Sequence, residues 1–287
     1  MGNNNDISYK IFPPYVNWEM TNRCNMGCPY CFLGDNPEGA LPDLGTGIMK
    51  DGIRKLAENG ARMLNYAGGE PLLRKDMVEL IEYGHGLGLK TILSTNGVLL
   101  SEELINELDG KLGWISLPVD GYDSRTHDSV RRRKGHFEEI VEKLELIGKT
   151  RINLKINSML CKKNISYVKE IAGLLDEFNV KKWKLFQFSA RGKARKIKEE
   201  YEISDKEFLC SKERIGLHDF DIIYSTNELR DNAYFLIGAD GKVTVPSGEK
   251  YIPIGNLLED LTAFKDLDVL KIQKNIANAR VSYGFRW

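Results

Sequence analysis

The stretch Asn22-Arg23-Cys24-Asn25-Met26-Gly27-Cys28-Pro29-Tyr30-Cys31 constrains this chain more than any other. Its three cysteines have the spacing C-x3-C-x2-C. One loop of that length wraps three thiolates around a single inorganic cluster. A [4Fe–4S] cube normally takes one thiolate per iron. Three thiolates leave one iron open to a small chelating ligand, as a catalytic metal site keeps one position incomplete. A zinc knuckle is the competing reading. Zinc wants a fourth Cys or His close by, and the nearest histidine is His85.

The rest of the composition narrows the class. The chain has 287 residues, 42% of them apolar, enough for a large core in one big domain or two small ones. Its 41 basic side chains balance 41 acidic ones, so it carries no polyanion footprint and nucleic acid is not an expected partner. Five cysteines in this length do not make a disulfide scaffold. Cys161 and Cys210 are isolated and read as free thiols. Residues 1–12 lack the apolar core of a signal peptide, and no stretch approaches the ~20 apolar residues of a membrane span. A soluble protein of the reducing cytoplasm, with no membrane partner, is expected.

Hydrophobic periodicity and turn residues organise the chain into alternating elements. Strands are expected at 15–20, 61–67, 90–95, 114–119, 153–159 and 182–188. Helices are expected at 49–59, 77–87, 102–108, 137–147 and 166–178. This alternation implies an α/β fold with a parallel sheet, an open partial (β/α)6 barrel with ligands at its carboxyl edge. The expected division is a flexible segment 1–14, a barrel 15–190 and a C-terminal extension 191–287. The extension reads as a charged stretch, a hairpin over 234–245 turning at Asp240-Gly241, and an amphipathic helix near 262–276 followed by a tail.

Gly68-Gly69-Glu70-Pro71 follows the second expected strand. Two glycines let backbone approach a ligand without Cβ interference. Taken together, the cysteine spacing after a short apolar strand, the aromatic Tyr30 before the last cysteine, and this Gly-Gly-Glu-Pro resemble the radical S-adenosylmethionine (SAM) superfamily. The resemblance implies that Cys24, Cys28 and Cys31 hold a [4Fe–4S] cluster whose open iron binds the amino and carboxylate groups of SAM. Reductive cleavage then gives a 5′-deoxyadenosyl radical that takes hydrogen from substrate. It also implies SAM contacts from Tyr30, Gly68, Gly69 and Glu70, the last positioning the methionyl amine. Thr95 and Asn96 either bind the SAM ribose or close a turn. Asp120 either meets a polar ligand group or caps the next turn. The run Arg131–Lys134 reads as a surface charge run, or supplies Arg132 to the SAM carboxylate, which a guanidinium grips bidentately.

On the fifth strand, Lys155 and Asn157 share a face by the period of two, and Lys182 and Lys184 repeat the pattern on the sixth. Buried lysines are costly unless an anion pairs with them, and no acidic run lies nearby. A polyanionic substrate such as a triphosphate fits; the alternative is that these lysines snorkel to solvent.

The match narrows at Val16-Asn17-Trp18, Lys155-Ile-Asn-Ser158, Trp183-Lys184-Leu-Phe-Gln187, Ser225-Thr-Asn-Glu228, the Tyr234 hairpin and Ile254-Gly255, which resemble the viperin branch. That branch turns CTP into 3′-deoxy-3′,4′-didehydro-CTP, an antiviral chain terminator, and prokaryotic members act against phage on CTP or other nucleotides. The resemblance implies hydrogen abstraction at the ribose C4′, loss of the 3′-hydroxyl as water, and a flavodoxin- or ferredoxin-type electron donor. It places Asn17 and Asn157 on nucleotide, Lys155, Lys182 and Lys184 on phosphates, Arg280 or Lys250 over the γ-phosphate, and Tyr234 as hydrogen donor. The chain departs from the branch at Met63 and Ala67, where the branch has Lys and Ser, at Pro118, where it has Ser, and at Lys182, where it has Arg. These changes put the choice among CTP, UTP and GTP in doubt. Two other readings remain: a radical SAM enzyme acting on a different phosphorylated substrate, and an interaction module with a structural cluster.

Overall fold

A computed structural model describes residues 11–31, 42–248, 250–259, 261–264 and 269–283, without the side chains of 262, 263 and 269–273. The expected flexible segment lies, up to residue 10, outside the described residues. Six strands run parallel in chain order: β1 (Tyr15–Glu19), β2 (Met63–Ala67), β3 (Lys90–Ser94), β4 (Trp114–Pro118), β5 (Asn153–Leu160) and β6 (Val180–Gln187). Their crossovers carry α1 (Thr46–Glu58), α2 (Met77–Gly86), α3 (Glu102–Leu108), α4 (Ser124–Arg131), α5 (His136–Ile147) and α6 (Val168–Leu175).

The C-terminal extension adds strands to both edges. β7 (Asp221–Ser225) lies parallel beside β6, and β8 (Leu236–Ile237) lies parallel beside β1. β9 (Lys242–Ser247) and β10 (Lys250–Asn256) continue outward as antiparallel neighbours. The ten strands form one sheet, and it does not close into a barrel. The fold is the expected open α/β architecture.

Alternation along the strands divides the sheet into two faces. Val16, Trp18, Leu64, Tyr66, Leu93, Ile115, Leu117, Ile156, Trp183 and Leu185 join the helices in the main core. The opposite face starts apolar at the beginning of the strands, where Tyr15, Met63, Ile92 and Trp114 pack together with Ala279 and Tyr283 of a C-terminal helix (Val269–Tyr283). Asn275 of that helix brackets Tyr15: its Oδ1 accepts from the Tyr15 N–H at 3.2 Å and its Nδ2 donates to the Tyr15 carbonyl at 2.8 Å. The helix thus covers the inner face at the strands' amino ends, and the loops at the carboxyl ends hold the motifs.

Three of the elements that differ from the sequence expectation are instructive. α4 was not anticipated, because its buried positions are Thr126, His127, Val130 and Arg131, which give no apolar stripe. β7 follows a long charged stretch that reads as loop. The C-terminal helix runs on to Tyr283 instead of ending near Ile276, because its buried face alternates polar Asn275 and Ser282 with Ala279 and Tyr283, a weak signal for hydrophobic periodicity. Among the described residues, no helix is long and apolar enough to cross a membrane.

α1 seats Gly52 against the fully buried Trp18; a Cβ there would stand 2.3 Å from the indole ring. Gly52→Ala should therefore destabilise the chain by about 1–3 kcal/mol, the usual cost of overpacking, read by urea titration. An unchanged midpoint would show that α1 does not pack this closely.

Candidate functional site

The cysteine loop begins where β1 ends. Its backbone is held by the turn after β2: Gly69 N–H donates to Thr21 O at 2.8 Å and Glu70 N–H to Arg23 O at 2.8 Å. The approach requires both glycines. A Cβ on Gly69 would lie 2.1 Å from Arg23 O, and Gly68 has φ +129° with Thr21 O only 2.6 Å from its would-be Cβ. The glycine pair therefore meets the cysteine loop itself, and the N–H groups of Gly69 and Glu70 are used there.

Glu70 is fully buried, and both carboxylate oxygens are occupied. Oε1 accepts from Leu72 N–H at 3.0 Å and Thr95 Oγ1 at 2.7 Å; Oε2 accepts from Asn96 N–H at 2.7 Å. Burial raises its pKa, and these three donors offset part of the rise. Glu70 thus ties the β2 turn to the β3 turn. Asn96 carries the connection onward: its Nδ2 donates to Asn25 Oδ1 at 2.7 Å and lies 3.9 Å from Cys24 Sγ.

Asp120, at the end of β4, grips the other end of the cysteine loop. Oδ2 accepts from Tyr30 OH at 2.6 Å and from Arg131 Nη1 at 2.8 Å, while Oδ1 accepts from Met159 N–H at 2.7 Å. Arg131 Nη1 also donates to Tyr30 OH at 2.8 Å. The buried arginine beside Asp120 is thus Arg131, whereas Arg132 is turned away. α4 ends at Arg131, and Arg132 adopts the left-handed region with φ 55°. Its exposed guanidinium pairs with Glu200 at 3.0 Å. The sequence run of four cations contains no phase information without that helix end.

Three thiols at this spacing fit a cluster by their chemistry, although among the described residues no three such donors are gathered closely enough to hold a metal ion. Cys24, Cys28 and Cys31 lie half-buried on one loop. Burial raises the Cys24 pKa, and Met26 N–H, 3.4 Å from its sulfur, pulls against that rise. A thiol in this setting becomes a thiolate when a cation binds it.

The interior between this edge and the C-terminal helix is a polar layer. Tyr15 OH and Asn65 Nδ2 both donate to Asn17 Oδ1, at 2.9 and 2.8 Å, and Ser94 Oγ donates to Asn65 Oδ1 at 2.9 Å. Asn17 Nδ2 and Asn157 Oδ1 are buried and have no partner. Two lysines complete the layer. Lys155, 3% exposed, donates to Tyr283 OH at 3.2 Å and lies 4.3 Å from that ring's centre. Lys184 donates to Tyr234 OH at 2.8 Å, Asn278 Oδ1 at 2.8 Å and Ser282 Oγ at 3.1 Å. Burial, with Lys184 and Lys182 nearby, holds the Lys155 pKa well below its ordinary value. Burial pushes the Tyr234 phenol up, but Lys184, Arg230 and Ser225 together outweigh it and the net shift is downward.

Other expected residues stand apart. Lys182 is ion-paired with Asp221 at 2.6 Å, a carboxylate that β7 places directly opposite it. The sequence showed no such acid nearby because Asp221 is distant along the chain. Lys250, at the start of β10, and Arg280, on the outer side of the C-terminal helix, are both exposed. Arg131, Asn65, Ser94 and Tyr283 were missed; Asn65 and Ser94 share the inward alternation of Asn17, which was the available signal.

The chain is similar to known proteins. The model of the Radical SAM superfamily matches residues 18–175. An S-adenosylmethionine-dependent nucleotide dehydratase of Flammeovirga pacifica is 28% identical over 264 residues, covering 86% of this chain and 87% of that protein. An AdoMet-dependent heme synthase of Oleidesulfovibrio alaskensis is 29% identical over 183 residues, 63% of this chain. The chain spans about half the length of such heme synthases, 47% and 50% for two of them. Among solved structures, anSMEcpe with bound AdoMet aligns at TM-score 0.68 and 16% identity over 94% of this chain and 81% of that one, a likeness of fold.

Two outcomes follow from this geometry. Gly69→Ala should keep the circular dichroism of the fold yet take up less iron and sulfide on reconstitution, because the cysteine loop must shift; full loading would contradict the close approach. Glu19, at the end of β1, has its carboxyl pushed up to about 7 by burial and by Asp240. A carboxyl raised on folding costs stability once pH exceeds its unfolded value, and the cost grows until the folded value is passed. Glu19→Gln should therefore raise Tm more at pH 8 than at pH 5; equal gains would show that Glu19 is charged throughout.

Proposed function

The chain belongs to the radical SAM superfamily, and on that premise we propose that it dehydrates a nucleoside triphosphate. The [4Fe–4S] cluster and SAM of this family supply a 5′-deoxyadenosyl radical for hydrogen abstraction. Cys24, Cys28 and Cys31 would hold the cluster, with Tyr30, Gly68, Gly69, Thr95 and Asn96 around SAM. The polar layer below would take the nucleotide. The observation that carries this reading is the pair Lys155 and Lys184. Both ammoniums are buried, and their hydrogen-bond partners are neutral oxygens of Tyr283, Tyr234, Asn278 and Ser282.

A buried cation served by neutral oxygens is incompletely compensated, and phosphate oxygens would complete it. The unpartnered Asn17 Nδ2 and Asn157 Oδ1 offer a donor and an acceptor for the sugar or base. Tyr234 lies against Lys184, which eases departure of its phenolic proton. It would thereby serve as the donor of the last hydrogen, with a flavodoxin- or ferredoxin-type reductant supplying electrons. The nucleotide dehydratase of Flammeovirga pacifica, matched over most of both chains, supports the same class of reaction. CTP is our first choice of substrate, UTP and GTP the next, and defence against viruses or phage the role.

Lys155→Met separates this reading from a purely structural role, because its two effects have opposite signs. A lysine whose pKa is depressed on folding costs stability at pH 7, so the variant should melt higher than the parent without nucleotide. It should also bind the triphosphate about 10–100-fold more weakly, as expected for loss of a charge-assisted hydrogen bond. Calorimetry at constant salt measures both. A lower Tm with unchanged affinity would overturn the anion site.

A further inference from the structure

Beneath the two grips on the cysteine loop lies a pair of fully buried histidines, His127 of α4 and His136 of α5. Asp120 N–H can only donate, so His127 Nδ1, at 3.1 Å, accepts from it. His127 Nε2 then carries the ring proton and donates to His136 Nδ1 at 2.8 Å. His136 Nε2 is left protonated and donates to the Asn96 carbonyl at 2.8 Å. The backbone groups at the two ends thus fix both tautomers. One directional relay runs from the amide after β4 to the carbonyl after β3.

We propose that His127 and His136 are positioning residues: their relay sets the span between Asn96 and Asp120 and so holds the two ends of the cysteine loop in register. Asn96 contacts the loop at Cys24 and Asn25, and Asp120 contacts it at Tyr30, between Cys28 and Cys31. β3 and β4 are neighbouring strands, still joined just past the end of β3 by Thr95 N–H to Ser116 O at 3.3 Å, and from Asn96 to Asp120 the two imidazoles make the connection. Two imidazoles, each donor on one side and acceptor on the other, make a bridge of fixed length.

The relay has no room for another proton. On His127 Nδ1 it would face the Asp120 N–H, and on His136 Nδ1 it would face the His127 N–H. The surroundings agree. Arg131 and Arg133 add positive potential. The Asp128 carboxylate is engaged by Gly135 N–H and Phe137 N–H, and that of Asp120 by Tyr30, Arg131 and Met159. Burial, then Arg131, holds His127 well below its usual pKa and pushes His136 down to about 4. Unfolded histidines take protons below about pH 6.5, so this pair costs stability as pH falls from there toward 4.

Three measurements test the proposal, and none rests on the identity of the substrate. Nitrogen-15 NMR of the full chain should show both rings neutral with the proton on Nε2 from pH 8 to pH 5. A proton on Nδ1 of either ring, or charging at pH 6, would overturn the relay whether or not any variant folds. His136→Phe fills the same space without nitrogens, whereas His136→Gln keeps a donor for the Asn96 carbonyl. In the reconstituted holoenzyme, His136→Phe should keep its iron but alter the EPR spectrum of the reduced cluster. It should raise the KM for SAM about 10–100-fold, and His136→Gln should recover most of that, the range seen when partners that orient ligands are removed. Unchanged spectra and KM in both variants would reduce the pair to core packing.

Discussion

Two backbone hydrogen bonds anchor the architecture of the site: Gly69 N–H to Thr21 O and Glu70 N–H to Arg23 O, each 2.8 Å. They bring the turn after β2 against the start of the cysteine loop at a distance that only glycine permits. From that contact the connections spread along the carboxyl edge of the sheet. Glu70 holds the β3 turn through Thr95 and Asn96, Asn96 returns to Cys24, and Asp120 closes the circuit onto Tyr30. Three half-buried thiols are thereby presented on a loop whose ends are fixed from three strands. Residues that a ligand might have claimed, Glu70 and Asp120 above all, have their carboxylates engaged by the protein. In this structure those contacts hold the loop in place.

The opposite end of the inner face is built differently. Aromatic and aliphatic side chains at the strand starts accept the C-terminal helix, whose Tyr283, Asn278 and Ser282 reach the lysine ammoniums. Lys155 and Lys184 therefore sit between a redox edge and a helical floor, in a layer of amides and hydroxyls. Burial opposes the charge on Lys155, and neutral oxygens compensate it only in part. Such an arrangement weakens the empty fold, and an anion of the kind proposed above would complete it.

Much of this was legible in the sequence, for identifiable reasons. The cysteine spacing and Gly-Gly-Glu-Pro are local, and the six strands announce themselves by apolar runs between turn residues. The shared face of Lys155 and Asn157 follows from the period of two, whereas Asn17 came only from the resemblance. Arg131 did not, because α4 buries polar side chains and the cation run gives no helical phase. Asp221 escaped notice as partner of Lys182 because strand pairing, not sequence distance, brings them together. Arg280 was expected over the substrate, but the helix turns Ser282 and Tyr283 inward and leaves Arg280 outside. The histidine pair left no trace in the sequence, since its meaning lies in the backbone groups at its two ends.

The most direct test of the account is the reaction itself. Anaerobically reconstituted, reduced protein would be given SAM with each of CTP, UTP, GTP and ATP, and 5′-deoxyadenosine and nucleotide products quantified. The account predicts that one nucleotide strongly stimulates 5′-deoxyadenosine formation and yields a product lighter by one water. Uniformly low 5′-deoxyadenosine with all four and no dehydrated nucleotide would contradict it.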